Sequence, residues 1–237
     1  MLPMRSELPV ALVTGGDEGV GPEVCRRLAA LGFAVVLGAS DLRAAELAAK
    51  EIDSAGGRVT PCHIEIDNSV NVASVAEWLR ERYGRADALV NNASTAPDKW
   101  AIAATADLSP VAEALDVNLF GAWRMTQALL PLLRASPRPR VVNVTDDSGS
   151  IALMSGGRPA FSVSKAAVNA LTKLLAGELH RDGILVNAVS PGPTGADPVR
   201  GGLRSPGHGA ASVVWAVTLP NGGPTGTFTR DGRELPW

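Results

Sequence analysis

The sequence predicts an α/β fold: a doubly wound, mostly parallel sheet of about seven strands with helices on both faces. Three observations carry that expectation. Short β-branched or apolar runs alternate with longer helical patterns along the chain, as right-handed βαβ units require. The first of these runs ends in a glycine-rich turn that opens a helix. Loops rich in Gly, Pro and Ser follow the carboxyl ends of later strands, where open α/β sheets bind ligands.

In chain order, strands are expected at Val10 to Thr14, Ala34 to Leu37, Arg58 to Ile64, Ala88 to Asn91, Arg140 to Thr145 and Ile184 to Val189, with a short last one near Thr227. Helical spacing of apolar residues places helices over Gly19 to Leu31, Leu42 to Ser54, Val70 to Tyr83, Pro110 to Arg134 and Ala160 to Arg181. Ser109 followed by Pro110 reads as an N-cap and the first helical residue. The ligand-side loops are Ser94 to Asp107, Asp146 to Pro159 and Pro191 to His208. With 237 residues and 46% apolar composition the chain can bury one substantial core, so residues 1–237 are expected to form a single domain.

Charge and composition narrow the partners. A formal net charge of −2, with both signs interspersed and no basic block, disfavours nucleic acid and an anionic membrane surface. The opening MLPMRSELPV lacks an apolar core of signal-peptide length, and the runs near Ala34 to Leu37 and Ala128 to Leu133 are too short to span a bilayer. A cytoplasmic location is therefore expected. Cys25 and Cys62 have no CxxC spacing, and His63, His180 and His208 match no ligand pattern, so two buried thiols and no metal site are expected.

The turn after the first strand reads Thr14-Gly15-Gly16-Asp17-Glu18-Gly19-Val20-Gly21. Glycines permit positive φ and close backbone approach, which lets a pyrophosphate sit against a helix N-terminus; a tight strand–helix turn needs glycines as well. Its place between first strand and first helix favours the dinucleotide reading and a Rossmann-type sheet. This turn, then Asn91-Asn92-Ala93, then Asn118 in its helix, then Pro191-Gly192 after the sixth strand, resembles the short-chain dehydrogenase/reductase family in its expected order. The closing segment from Pro224-Thr225-Gly226 to Trp237 is most similar to carbonyl-reductase-like members.

That resemblance implies an NAD(P) site contacted by Gly15, Gly19, Gly21, Asn91, Ala93, Lys165 and Thr194, with Glu65 and Ile66 at the adenine. Several positions depart from it. Where NADP-using relatives place cations for the 2′-phosphate, this chain has Glu18 and Ser40, and a carboxylate there repels a phosphate. The acid that relatives use for NAD ribose hydroxyls is replaced by Ala39; Asp41 lies nearby but suits a helix cap, and Arg43 suits a solvated helix face. Ser94 replaces a glycine, and Ala196 replaces a second Thr beyond Thr194. The expectation is weakened dinucleotide binding with NAD slightly favoured over NADP, an empty cleft being the alternative.

The catalytic positions change more sharply. The resemblance implies a Tyr as general acid, a Lys four residues later, a Ser on the substrate oxygen and an Asn ordering a water relay. In this register the Tyr is Phe161, the Ser is Asp146, and Lys165 and Asn118 are kept. Phe has no proton to give, and a positioned general acid supplies about 10² to 10⁴ in rate. Ser162 and Ser164 point about 100° away from a neighbouring helix position and do not replace the phenol. Asp146 beside Lys165 reads either as an acid/base pair or as a salt bridge in a silent site, and Asp147 with Ser148 either as part of the site or as a solvated turn.

A small carbonyl-bearing ligand is expected in a pocket lined by Ser94, Trp100, Met154 and Pro193. The favoured function is non-redox acid/base chemistry at Asp146 and Lys165 of the cyclisation, dehydration, aldol or isomerisation type; the alternatives are a ketoreductase with a substitute proton donor and an inactive subunit pairing with an active paralogue of the family. The apolar stripes at Leu115 to Leu133 and Val168 to Leu179 suit a homodimer or homotetramer, and suit a core face equally.

Overall fold

Side-chain alternation along each strand divides the molecule into two cores. In β1 (Val10–Thr14), Val10 and Leu12 enter one apolar cluster and Ala11 and Val13 the other, all fully buried. Period-two alternation makes every strand such a divider. The computed structural model describes residues 8–53, 58–98, 100–192 and 206–237. Among these, β1, β2 (Ala34–Ala39), β3 (Val59–His63), β4 (Ala88–Asn91), β5 (Arg140–Val144), β6 (Leu185–Val189), β7 (Phe228–Arg230) and β8 (Arg233–Glu234) form one sheet in the order β3-β2-β1-β4-β5-β6-β7-β8. Every neighbouring pair is parallel except β7 with β8, which makes eight strands where about seven were expected.

Helices α3 (Ser69–Tyr83), α5 (Ala122–Arg134) and α6 (Pro159–Leu179) cover one face through residues such as Leu79, Leu129 and Leu175. Helices α1 (Gly21–Ala30), α2 (Leu42–Asp53) and α7 (Pro206–Val217) cover the other through Leu28, Ala49 and Val213. Winding reverses between β1 and β4, and in a doubly wound sheet the crevice at the carboxyl ends of those two strands is where ligands enter.

The structure corrects several boundaries. The first helix begins at Gly21 rather than Gly19, whose φ of +58° is left-handed. The helix expected over Pro110 to Arg134 is α4 (Leu108–Ala114), a π-helical stretch Leu115–Gly121, then α5. Its cap is Asp107, whose carboxylate accepts the Ser109 N–H at 2.9 Å, so Ser109 is inside the helix; Pro110 still falls in the first turn, where its missing N–H leaves no bond unmade. Helix α7 starts within the stretch read as a loop. Cys25 is buried, but Cys62 is only half-buried; both are free, and burial pushes the Cys62 thiol up to about 11. Among the described residues no helix is long and apolar enough to cross a membrane, and no cluster of His, Cys, Asp and Glu is placed to hold a metal.

Candidate active site

At the β1–β4 junction the backbone itself shapes the cleft. Thr14 Oγ1 accepts the N–H groups of Asn92 (3.1 Å) and Ala93 (3.2 Å), and Asn92 Nδ2 donates to the Gly15 carbonyl (2.6 Å). Gly15 is left-handed at φ +57°, and a Cβ on it would lie 2.7 Å from the Ala93 Cα. A Cβ on Gly21 would strike the Gly15 carbonyl, whereas one on Gly19 would meet nothing within 4 Å. Gly15 and Gly21 therefore serve close packing, and Gly19 leaves open space at the turn, as a phosphate-bearing ligand requires.

The other nucleotide-side residues fall into two groups. Glu18, Ser40 and Arg43 are exposed. Asp41 accepts the N–H of Arg43 at 2.8 Å and so caps α2, as its position suggested. Glu65 accepts from Asn68 Nδ2 at 3.1 Å, and Ile66 lies buried against Gly121. Asn91 is buried with its amide on Asn143 Oδ1 (2.8 Å) and Thr126 Oγ1 (3.3 Å), so its side chain ties β4 to β5 and α5. Thr194, Pro193 and Ala196 lie outside the described residues.

Strand β5 and helix α6 supply the chemical end. Lys165 is only 4% exposed, and its Nζ donates to the Val144 carbonyl at 3.0 Å. Burial lowers its pKa from the ordinary 10.5 to about 8, while the Asp146 charge acts in the opposite direction. The two do not form the salt bridge that was one of the two readings of this pair. Asp146 Oδ1 instead accepts the Ser148 N–H (2.8 Å) and caps the 3-10 turn Asp147–Gly149, while Lys165 is held on the β5 backbone. Asp147 is not a solvated turn residue: it pairs with Arg230 and accepts from Ser190 Oγ at 2.6 Å, and Ser148 is buried. The C-terminus braces the same loop, because Ser150 Oγ donates to the Pro236 carbonyl (2.7 Å) and the Ala152 N–H to that of Trp237 (2.9 Å).

Asn118 lies in the π-helical stretch, 3% exposed; such bulges recur at functional sites. Its carbonyl oxygen accepts the Thr95 N–H (2.7 Å), and its amide donates to the Thr95 carbonyl (2.9 Å) and Ser164 Oγ (2.8 Å). The side chain thus fastens the loop after β4 to α6. Phe161 is half-buried, with the Arg158 guanidinium 4.3 Å and Lys165 Nζ 5.4 Å from its ring centre. Sequence reasoning missed Arg158 and Asp98. Asp98 is buried and accepts the N–H groups of Ala160 and Phe161, capping α6; the run Gly156-Gly157-Arg158-Pro159, a turn followed by a helix-starting proline, was the available signal.

A cavity of about 500 Å³ lies beside this helix end, walled by Pro97, Asp98, Trp100, Ala101, Val111 and Ala160 among others. Among the described residues expected at the pocket, Trp100 lines it, and exposed Ser94 and Met154 do not.

A doubly wound sheet with a glycine turn at its switch point and a buried lysine opposite defines a dinucleotide-fold protein of the short-chain class. The chain belongs to the short chain dehydrogenase family, which matches residues 9–203. It is 28% identical to the (−)-isopiperitenone reductase of Mentha piperita, covering 95% of this chain and 97% of that one. It is 33% identical to a 3-oxoacyl-(acyl-carrier-protein) reductase of a Synechocystis strain, covering 77% and 73%. A metagenomic short-chain oxidoreductase solved in complex with NADP superposes at a TM-score of 0.79, with 27% identity over 94% of this chain and 95% of that one.

Proposed function

We propose that the chain binds a nicotinamide dinucleotide between β1 and β4 and reduces a small carbonyl compound, using a proton donor other than a phenol. The glycine turn carries this reading: Gly15 and Gly21 leave no room for a side chain, and Gly19 keeps open the space a pyrophosphate needs. Lys165 supports it. A buried ammonium with a single acceptor among the described residues is costly, and a hydroxyl-bearing ligand would supply the missing partners. The relatives named above are reductases, and one structural neighbour holds NADP.

When bound, the dinucleotide supplies hydride. Gly15, Gly19, Gly21 and the Ala93 backbone would hold its phosphates, and Lys165 its sugar hydroxyls. Asp146 is the proton donor in this reading, and Phe161 forms an apolar wall that excludes water from the carbonyl. Exposed Glu18 and Ser40 supply no cation for a 2′-phosphate, which favours NAD slightly over NADP. Titration of NADH and NADPH by fluorescence tests the reading: saturable binding is expected, and none at millimolar cofactor overturns it. Asp146→Asn then separates the donor from its alternatives, since a variant reducing at the full rate excludes Asp146.

One observation favours a second reading. An ionisable Asp146 acts electrostatically on Lys165 where an inert residue would have sufficed for a decayed site. Non-redox acid/base chemistry on a carbonyl compound would use that pair directly, and a reaction that proceeds without dinucleotide and is lost in Asp146→Asn establishes it. Exposed Phe120, Trp123, Val163 and Leu174 support self-association as a homodimer or homotetramer.

A further inference from the structure

We propose that the cavity beside the start of α6 holds the uncharged, apolar arm of the carbonyl compound, so that the substrates are neutral ketones or aldehydes bearing an extended alkyl or aryl group. The inference rests on the reading that the Phe161 cleft takes a carbonyl compound, and adds what that compound carries besides its carbonyl.

Continuity with the cleft is the first argument. Ala160 walls the cavity and immediately precedes Phe161, and the buried Asp98 carboxylate in the same wall accepts the N–H groups of both, at 2.5 and 3.3 Å. The Arg158 N–H donates to the Ala101 carbonyl (3.1 Å), which ties the loop after β4 to this helix end, and Asp107 caps α4 through the Ser109 N–H (2.9 Å). The walls are backbone segments anchored before a ligand arrives, as preformed ligand sites are.

Size is the second. Protein interiors pack closely and leave few voids larger than a water molecule. Here about 500 Å³ is kept open by small side chains: Ala96, Ala101, Ala106 and Ala160 line the space, where longer apolar residues would fill it. An apolar cavity of roughly 150 Å³ already takes benzene, so this one has room for a ring system or a long chain.

Wall chemistry is the third. Trp100 and Val111 add apolar surface, and among the described lining residues the charged groups are two carboxylates, Asp98 and Asp107. Asp98 is occupied by α6 and Asp107 is exposed; both repel an anion. The segment 100–108, which supplies part of the wall, also leaves Trp100 (81% exposed), Ile102 and Leu108 open to solvent. Apolar surface of that kind next to an apolar cavity suits a ligand that covers it.

Calorimetry on the full chain with 2-pentanone, 2-heptanone and 2-nonanone tests the proposal. The wild type is expected to bind about threefold more tightly for each added methylene. The compound 8-oxononanoate has the length of 2-nonanone but ends in a carboxylate, and is expected to bind about tenfold more weakly. Val111→Phe fills the cavity, and is expected to weaken 2-nonanone about tenfold while changing 2-pentanone little. Trp100→Ala, at an exposed position that the fold does not need, is expected to weaken 2-nonanone about threefold and carries the test if Val111→Phe fails to fold. No binding of any ketone, affinities that do not rise with length, 8-oxononanoate binding as tightly as 2-nonanone, or a length dependence undiminished in the folded variants overturns the proposal. NADH titration keeps the two questions apart: a length dependence lost on filling the cavity supports the apolar arm, and if dinucleotide binding is then absent in the wild type, only the reductase reading falls.

Discussion

The two ends of the cleft are built from different materials. At the β1–β4 end the shape is backbone: left-handed Gly15 lies against Ala93, Gly21 against Gly15, and Thr14 and Asn92 lock the strand ends with four hydrogen bonds, one of them from Thr14 to Val90. At the β5–α6 end it is side chain: Lys165, Asp146, Phe161 and Arg158 are placed on a frame that does not depend on their chemistry. A cradle made of backbone resists change because a Cβ at Gly15 or Gly21 collides, whereas a site made of side chains alters its reaction by single substitutions that leave the fold intact. In the register of the family resemblance the glycines of the first are kept, while Phe161 and Asp146 stand where the second implies a Tyr and a Ser.

The largest expected effect tests the backbone half. Gly15→Val places a β-branched side chain at φ +57° and drives its Cβ to 2.7 Å from the Ala93 Cα. Strain and overpacking together are expected to cost about 4 kcal/mol in urea unfolding and to abolish dinucleotide binding. Gly19→Ala, where the Cβ meets nothing within 4 Å, is expected to cost only about 1 kcal/mol. Equal costs at the two glycines would break the division between packing and cradle.

Lys165 provides the next test, on the side-chain half. Its pKa is lowered to about 8 in the folded protein against 10.5 ordinarily. Below pH 8 the group is charged in both states and the fold bears the cost of burying it. As pH rises from about 8 toward 10.5 the unfolded chain holds more protons than the folded one, so stability increases, by up to about 3 kcal/mol from this group. Lys165→Met should flatten that rise relative to wild type in denaturant titrations at pH 7 and 10. Asp146→Asn should lower the Lys165 pKa further, because it removes the charge that opposes the burial effect.

Phe161→Tyr sharpens the comparison directly. Phe has the shape of the aromatic position that the resemblance implies, so adding the hydroxyl is expected to leave stability unchanged while raising NADH-dependent reduction of a carbonyl probe about a hundredfold, or about 2.7 kcal/mol of barrier. No gain would mean that Asp146, and not the missing phenol, sets the limit at this end.

What was legible in the sequence follows the same division. The β1 to β6 strands and the glycine turn were readable because local pattern determines them: apolar runs of strand length, and glycines between a strand and a helix. Helix α7 was hidden because Gly207, Gly209 and the largely apolar run without Asp, Glu, Lys or Arg through Ala216 lack the polar face that marks an amphipathic helix; Ala210, Val213 and Ala216 are buried against the sheet. The π-helical interruption at Asn118 was unreadable since it arises from tertiary bonds to Thr95 and Ser164. Residue identities at the chemical end were visible, but their partners were not. Asp146 and Lys165 are near in register yet bond to different backbone groups, and Arg158 and Asp98 acquire roles only when α6 packs against the loop after β4.

The smallest effect concerns how the chemical end is braced. Asp147 joins the turn after β5 to Arg230 on β7 and to Ser190 after β6, so a loop carrying Asp146 is fixed by strands far away in sequence. Asp147→Asn keeps an acceptor for Ser190 but removes the charge facing Arg230. With the two side chains 20% and 31% exposed, solvent screens part of that loss, and a cost of about 1 kcal/mol is expected. Hydrogen exchange should locate the loosening in residues 146–153 and β7, leaving the β1–β4 junction protected as before. If protection falls equally at both ends, the cleft is one cooperative unit and its two halves do not vary independently.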